Sequence, residues 1–96
     1  MEATLVIERR IIFGDCDFAE VVVWKVPVPP SEHGFKYRLA YIVRGRRVVG
    51  FDSDRGRGDH RHDGDQGGKY RFEGIDRLLD DFAEVAERWR ADHGKD

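Results

Sequence analysis

Residues 55–64 read RGRGDHRHDG and hold two of the chain's four histidines, His60 and His62. Side chains two positions apart leave an extended backbone on the same side, whereas a helix spreads them. Gly56, Gly58 and Gly64 around the pair favour extended or turn geometry. Two imidazoles on one side suit either of two chemistries. They can divide acid and base work near neutral pH, or they can ligate a metal. The plainer reading is a solvated loop tip carrying two idle rings.

Neighbouring residues add to the pair. Asp52 and Asp54 precede it, and HGFKYR at 33–38 supplies His33, Lys36 and Arg38. Metal-free cleavage of RNA needs a base for the 2′-hydroxyl, an acid for the 5′-oxygen and cations for the charge that builds on phosphorus. His60 and His62 fill the first two roles. Lys36, Arg38 and Arg61 fill the third, with His33 close by. Asp52 or Asp59 serves to orient an imidazole. The rival is a metal-dependent nuclease or phosphotransfer site on His60, His62 and Asp52 with one divalent ion. That is a partial set against the four ligands of an ordinary zinc site. A third reading has the segment bind protein or nucleic acid without catalysis. No glycine-rich loop leads into a helix with Lys and Ser or Thr, and no serine has a hydrolase elbow around it.

These residues must be positioned by a small scaffold. Strands are expected over about 3–13, 18–27, 35–44 and 47–53, with a fifth at 69–72. In the first, Leu5, Ile7, Ile11 and Phe13 share a face, with Arg9 as the exception. FKYRLAYIVR is the clearest strand, and RGRR turns the chain back through Gly45. Residues 54–69 form a long polar loop, uncommon as an idle connection in a compact domain. From about 75 to 92 the period changes to that of a helix. Ile75, Leu78, Leu79, Phe82, Val85, Ala86 and Trp89 make one apolar stripe. The expected fold is α+β: one domain, an antiparallel meander of four to five strands, and a C-terminal amphipathic helix packed on one face. A meander sets the start of the third strand beside the end of the fourth. His33 and Lys36 should therefore lie near the histidine pair.

The totals set bounds. Ninety-six residues make one small domain. A net charge of −2 argues against a non-specific nucleic-acid coat, while 17 basic residues against 19 acidic leave room for a local basic patch. Cys16 is the one cysteine, so no internal disulfide can form. No apolar run approaches the roughly 18 residues of a membrane span. The N-terminus lacks the pattern of a secretory signal, so the expected location is cytoplasmic with no membrane partner.

HGFKYRLAY together with GFDSDRGRGDHRH resembles the TumE family, the toxin half of bacterial and archaeal toxin–antitoxin pairs. The resemblance runs through nearly the whole chain. It maps the family's motif onto His33, Gly34, Phe35, Lys36, Tyr37, Arg38, Asp52, Gly58, Asp59, His60, Arg61 and His62. Arg57 stands where a lysine is common, which keeps the charge of a phosphate-binding position and alters its hydrogen-bond geometry. Gly74 stands where a Ser or Thr cap is frequent. The resemblance implies a toxin whose partner is a DNA-binding antitoxin of winged-helix type, with a homo-oligomer open. Toxins of this size most often attack RNA or translation, which makes an endoribonuclease the leading expectation, by analogy of class.

Overall fold

The computed structural model describes residues 3–54, 58–64 and 66–93. Six strands follow one another as an antiparallel meander: β1 (Thr4–Ile12), β2 (Asp17–Lys25), β3 (Phe35–Val43), β4 (Arg46–Asp54), β5 (Gly58–Asp63) and β6 (Gln66–Lys69). One helix, α1 (Ile75–His93), closes the chain. No helix among the described residues is long and apolar enough to cross a membrane.

The β3–β4 connection shows how local chemistry sets the register. Arg44 and Gly45 both have positive φ, 51° and 81°. A two-residue hairpin of the I′ kind requires this, because its twist matches that of the strands it joins. Val43 consequently pairs with Arg46.

One face of the sheet is covered. Ala19, Val21, Val23, Tyr37, Leu39, Tyr41, Val49 and Phe51 point to it, and α1 returns Leu78, Phe82, Val85 and Ala86. Phe51 meets both Phe82 and Tyr70 edge-on. Burial of each large apolar side chain contributes roughly 1.5–3 kcal/mol. Polar ties fix the helix at both ends. Near its N-terminus the Tyr70 hydroxyl donates to Asp81 at 2.6 Å, and Arg77 Nε lies 3.0 Å from the other carboxylate oxygen. Near its C-terminus Arg90 lies 3.5 Å from Asp17, which accepts from the Tyr41 hydroxyl at 2.6 Å. Burial and that hydrogen bond push the Tyr41 pKa up to about 12.

Three expectations change. The sheet has six strands rather than four to five. The segment read as a polar loop over about 54–69 contains β5 and β6, and Tyr70–Phe72 lie beyond the last strand instead of forming one. The reason is that β5 alternates in Asp, His and Arg. A search for apolar alternation finds nothing there, yet the ladder to β4 supplies the backbone partners. A bulge between Leu5 and Ile7 also moves Leu5 off the face that Ile7 and Ile11 share.

Phe82→Ala should cost roughly 3–5 kcal/mol, as a large core deletion does. A thermal midpoint within about 2 °C of the parent would mean the helix docks by another face. A second expectation concerns acid. The Tyr70 hydrogen bond, aided by Arg77 and opposed by burial, holds the Asp81 carboxyl below its usual range. Such a group stabilises the fold above its unfolded pKa and loses that contribution as pH falls through its folded one. Tyr70→Phe should therefore cost most near neutrality and progressively less below about pH 4. Urea unfolding of parent and variant across that range checks it; a loss independent of pH would remove the ionised carboxylate from the account.

Candidate functional site

Among the described residues, no helix covers the opposite face of the sheet. Strand parity decides what stands on it, because alternate residues leave opposite sides. With Leu39 and Phe51 turned to the core, Arg38 and Asp52 turn away from it. The register then runs across the sheet as Val22, Arg38, Asp52, His60 and Lys69, each the partner of the next. The adjacent row is Glu20, Ala40, Gly50, His62 and Gly67. Arg38, Asp52, His60 and His62 thus share one open face, and Lys36 lies on it one step along β3 from Arg38.

Two glycines shape this face. A Cβ on Gly50 would lie 3.0 Å from Arg47 Cδ, and one on Gly67 would lie 3.2 Å from His62 Nδ1. Without side chains at those positions, Arg47 and the His62 ring lie close over the sheet. Arg47 reaches Asp52, with Nη1 3.6 Å from Oδ2. Lys36 and Arg38 are exposed, and the Lys36 ammonium sits 5.7 Å from the centre of the Trp24 ring. The Nε2 atom of His60 is buried and has no hydrogen-bond partner among the described residues. An unpaired buried polar atom is costly, so this nitrogen is a strained feature of the face.

His33, Asp59 and Arg61 stand elsewhere. The odd-numbered residues of β5 leave on the helix side. There His33 Nε2 lies 3.1 and 3.2 Å from the two Asp59 carboxylate oxygens, at a part-buried position. The His33 ring stacks on Phe72 at 4.0 Å, with Phe35 and Tyr37 further out. The Tyr37 hydroxyl is buried without a hydrogen bond of good geometry, and burial together with the Asp59 carboxylate raises its pKa. Arg61 is exposed, near enough to Asp81 to help lower that carboxyl. The segment is a strand, so it cannot present Asp59 and Arg61 beside His60 and His62. Asp59 serves His33 instead. The expected approach of the 33–36 region to the histidine strand is present, made by His33 on one face and by the row of Arg38 on the other. Gly34 donates to Ser31 Oγ and accepts from the Val26 amide, closing the entry to β3. Gly58 pairs with Asp54 at the start of β5. Arg57 lies outside the described residues.

Arg47 and Lys69 join the face although the sequence reading passed over them. Lys69 would have followed from recognising β6, since the hairpin register sets it opposite His60. Arg47 has no such signal; only the bulge near Tyr41 and the bare Gly50 aim it inward. The face thus presents two imidazoles, the Asp52 carboxylate with Glu20 two strands away on the adjacent row, and four cations, a set suited to a phosphodiester. Among the described residues, no group of three or more His, Cys, Asp or Glu side chains is arranged to hold a metal ion.

A family model described as Toxin TumE matches residues 2–90. No curated protein and no solved structure matches the chain.

The two faces should separate by mutation. Asp59→Asn removes a charge-assisted contact that is mostly shielded from solvent and should lower stability by about 1–2 kcal/mol. Asp52→Asn, on a partly exposed pair, should stay within about 1 kcal/mol of the parent. Denaturant unfolding of both variants tests the assignment, and a larger loss for Asp52→Asn would reverse it.

Proposed function

The chain belongs to the TumE toxin family, and from that premise we propose that this toxin of a toxin–antitoxin pair cleaves RNA without a metal, with His60 as base and His62 as acid. The observation that carries the reading is the placement of both rings on one face of β5, with Asp52 and cations in the flanking register positions. Residues two apart on a strand are separated by roughly 6.7 Å, room for a phosphate between the rings.

His60 takes the proton from the 2′-hydroxyl, and the freed oxygen attacks phosphorus. His62 gives its proton to the departing 5′-oxygen. The products are a 2′,3′-cyclic phosphate and a 5′-hydroxyl, so the reaction consumes no water. Asp52, opposite His60, favours the imidazolium that forms there. Arg38, Lys36, Arg47 and Lys69 meet the charge on the non-bridging oxygens, and the planar guanidinium of Arg38 suits two of them at once. Arg61 and Asp59 have no part in these steps, because they face the helix. The antitoxin partner is taken to be a DNA-binding protein of winged-helix type, which would neutralise this open face or its surroundings.

Cleavage should follow a bell in pH, as a paired acid and base require. His60→Ala and His62→Ala should each lower cleavage by roughly 10²–10⁴-fold, and stability should barely move. Lys36→Ala should weaken RNA binding and reduce its salt dependence while leaving the pH profile in place. Sequencing of RNA ends after induction without the antitoxin should show 5′-hydroxyl termini. Loss of cleavage in chelator, restored by one divalent ion, would replace this mechanism with the metal reading on His60, His62 and Asp52. Full toxicity of the double alanine variant at equal protein level would leave the face a binding surface.

A further inference from the structure

β1 is an edge of the sheet, and it is unlike the edge at β6. β6 is four residues long and rich in glycine. β1 has nine residues and exposes Leu5, Val6, Ile11 and Ile12, with Phe13 just beyond. Ile12 is 65% exposed. A long apolar edge with unpaired backbone groups is a pairing template that proteins ordinarily blunt or cover. Beside it a groove of about 720 Å³ runs between β1 and α1, floored by Ile7, Ile11, Ala19 and Phe82 and walled by Leu79 and Ala83.

The sequence of this edge is close to a palindrome in chemical type. Residues 5–13 read LVIERRIIF: three apolar residues, an acid, Arg9, a base, three apolar residues. Two copies pairing antiparallel about a two-fold axis through Arg9 place Glu8 of one against Arg10 of the other, twice. Ile7 meets Ile11 twice on the core side, where the groove opens. Ile12 comes beside Val6. Shifting the axis to Glu8 sets Glu8 against itself and Ile7 against Arg9. Shifting it to Arg10 sets Arg10 against itself and Glu8 against Ile12. A two-fold axis normal to the sheet keeps side chains on their own faces, so these are the registers available to the central residues. Only the register about Arg9 pairs opposite charges and like apolar groups together. Its one cost is the Arg9–Arg9 contact, at a groove that Glu87 also lines. The bulge lies between Leu5 and Ile7, outside the five central positions except at their end.

We infer that the β1 edge and its groove bind a second copy of this chain, joining two sheets into one of twelve strands with Arg9 at the two-fold axis. The interface is isologous, since each copy offers the same strand. The symmetry puts both helices on one side of the joint sheet and both His60/His62 faces on the other.

Sedimentation velocity of the full chain across the micromolar range should show a dimer. Glu8→Arg and Arg10→Glu each turn two attractive contacts into repulsive ones and should raise the dimer dissociation constant by about tenfold or more. An equimolar mixture of the two variants restores opposite charges at every contact and should form a heterodimer. The double variant E8R/R10E should pair with itself again. Arg10 also lies over the Phe18 ring at 4.2 Å and opposite Glu20. Circular dichroism therefore checks that each variant is folded, and the dissociation constant of Glu8→Arg alone reads the same contact should Arg10→Glu unfold. A monomer at all concentrations overturns the inference. So does a dimer that neither single variant weakens, or whose variants fail to recombine in the mixture. Binding of the antitoxin along β1 to a monomeric toxin would overturn it as well.

Discussion

The pairing of β4 with β5 is the contact on which the candidate functional face depends. β5 contains no large apolar residue, so nothing in its own sequence would hold it to a core. The ladder from Asp54–Gly58 to Val49–Asp63 does so instead, with Asp59 held by His33 and the Tyr70 amide bonded to the Asp59 carbonyl. A slip of one residue in this register would send His60 and His62 to the helix side and Asp59 and Arg61 to the open side. The His33–Asp59 contact opposes that slip, because Asp59 reaches His33 only in the observed parity. A motif residue on the covered face thereby keeps other motif residues aligned on the open one.

This division explains why much of the fold was legible in the sequence while part of the site was not. β2 and β3 alternate in Val, Leu, Tyr and Phe, and α1 carries its stripe at Leu78, Phe82, Val85 and Ala86; in both, apolar burial writes the period into the residues. β5 alternates with the same period, but in histidine and charge. There the sequence showed the shared side of His60 and His62 without showing that a strand enforced it. Consequently Asp59 and Arg61 were grouped with the histidines by proximity along the chain, and parity then separated them. Arg47 was hidden for another reason. Its place depends on a missing side chain at Gly50, three residues along, and on a bulge that no composition signals.

Covering one face with a single helix leaves the second face wet, and an antiparallel sheet tolerates that. The chain's heavy charge content is therefore consistent with a packed core. Core residues occupy one side of β2, β3 and β4, and charge collects on the other and along the helix exterior. Chemistry on the wet face adds little to stability, and the tethers of the helix involve none of it. Asp81, Tyr70, Arg90 and Asp17 bind the helix to the sheet from the opposite side of His60.

The same one-sided architecture makes β1 the edge suited to the proposed association. A meander has two edges. β6 is short, and the register that fixes Lys69 beside His60 commits it to the open face. β1 is the edge farthest from that face's histidines, four strands away, so a partner copy there would leave the rows of His60 and His62 uncovered. Pairing through the edge rather than through the wet face would thus give the toxin a larger apolar core at the seam, where Ile7, Ile11 and the groove meet, without occluding a substrate. An RNA strand crossing the joint sheet would meet two sets of histidines in opposite polarity. The spacing between them follows from the nine strand steps from β5 through the seam to the second β5, at roughly 4.8 Å per step.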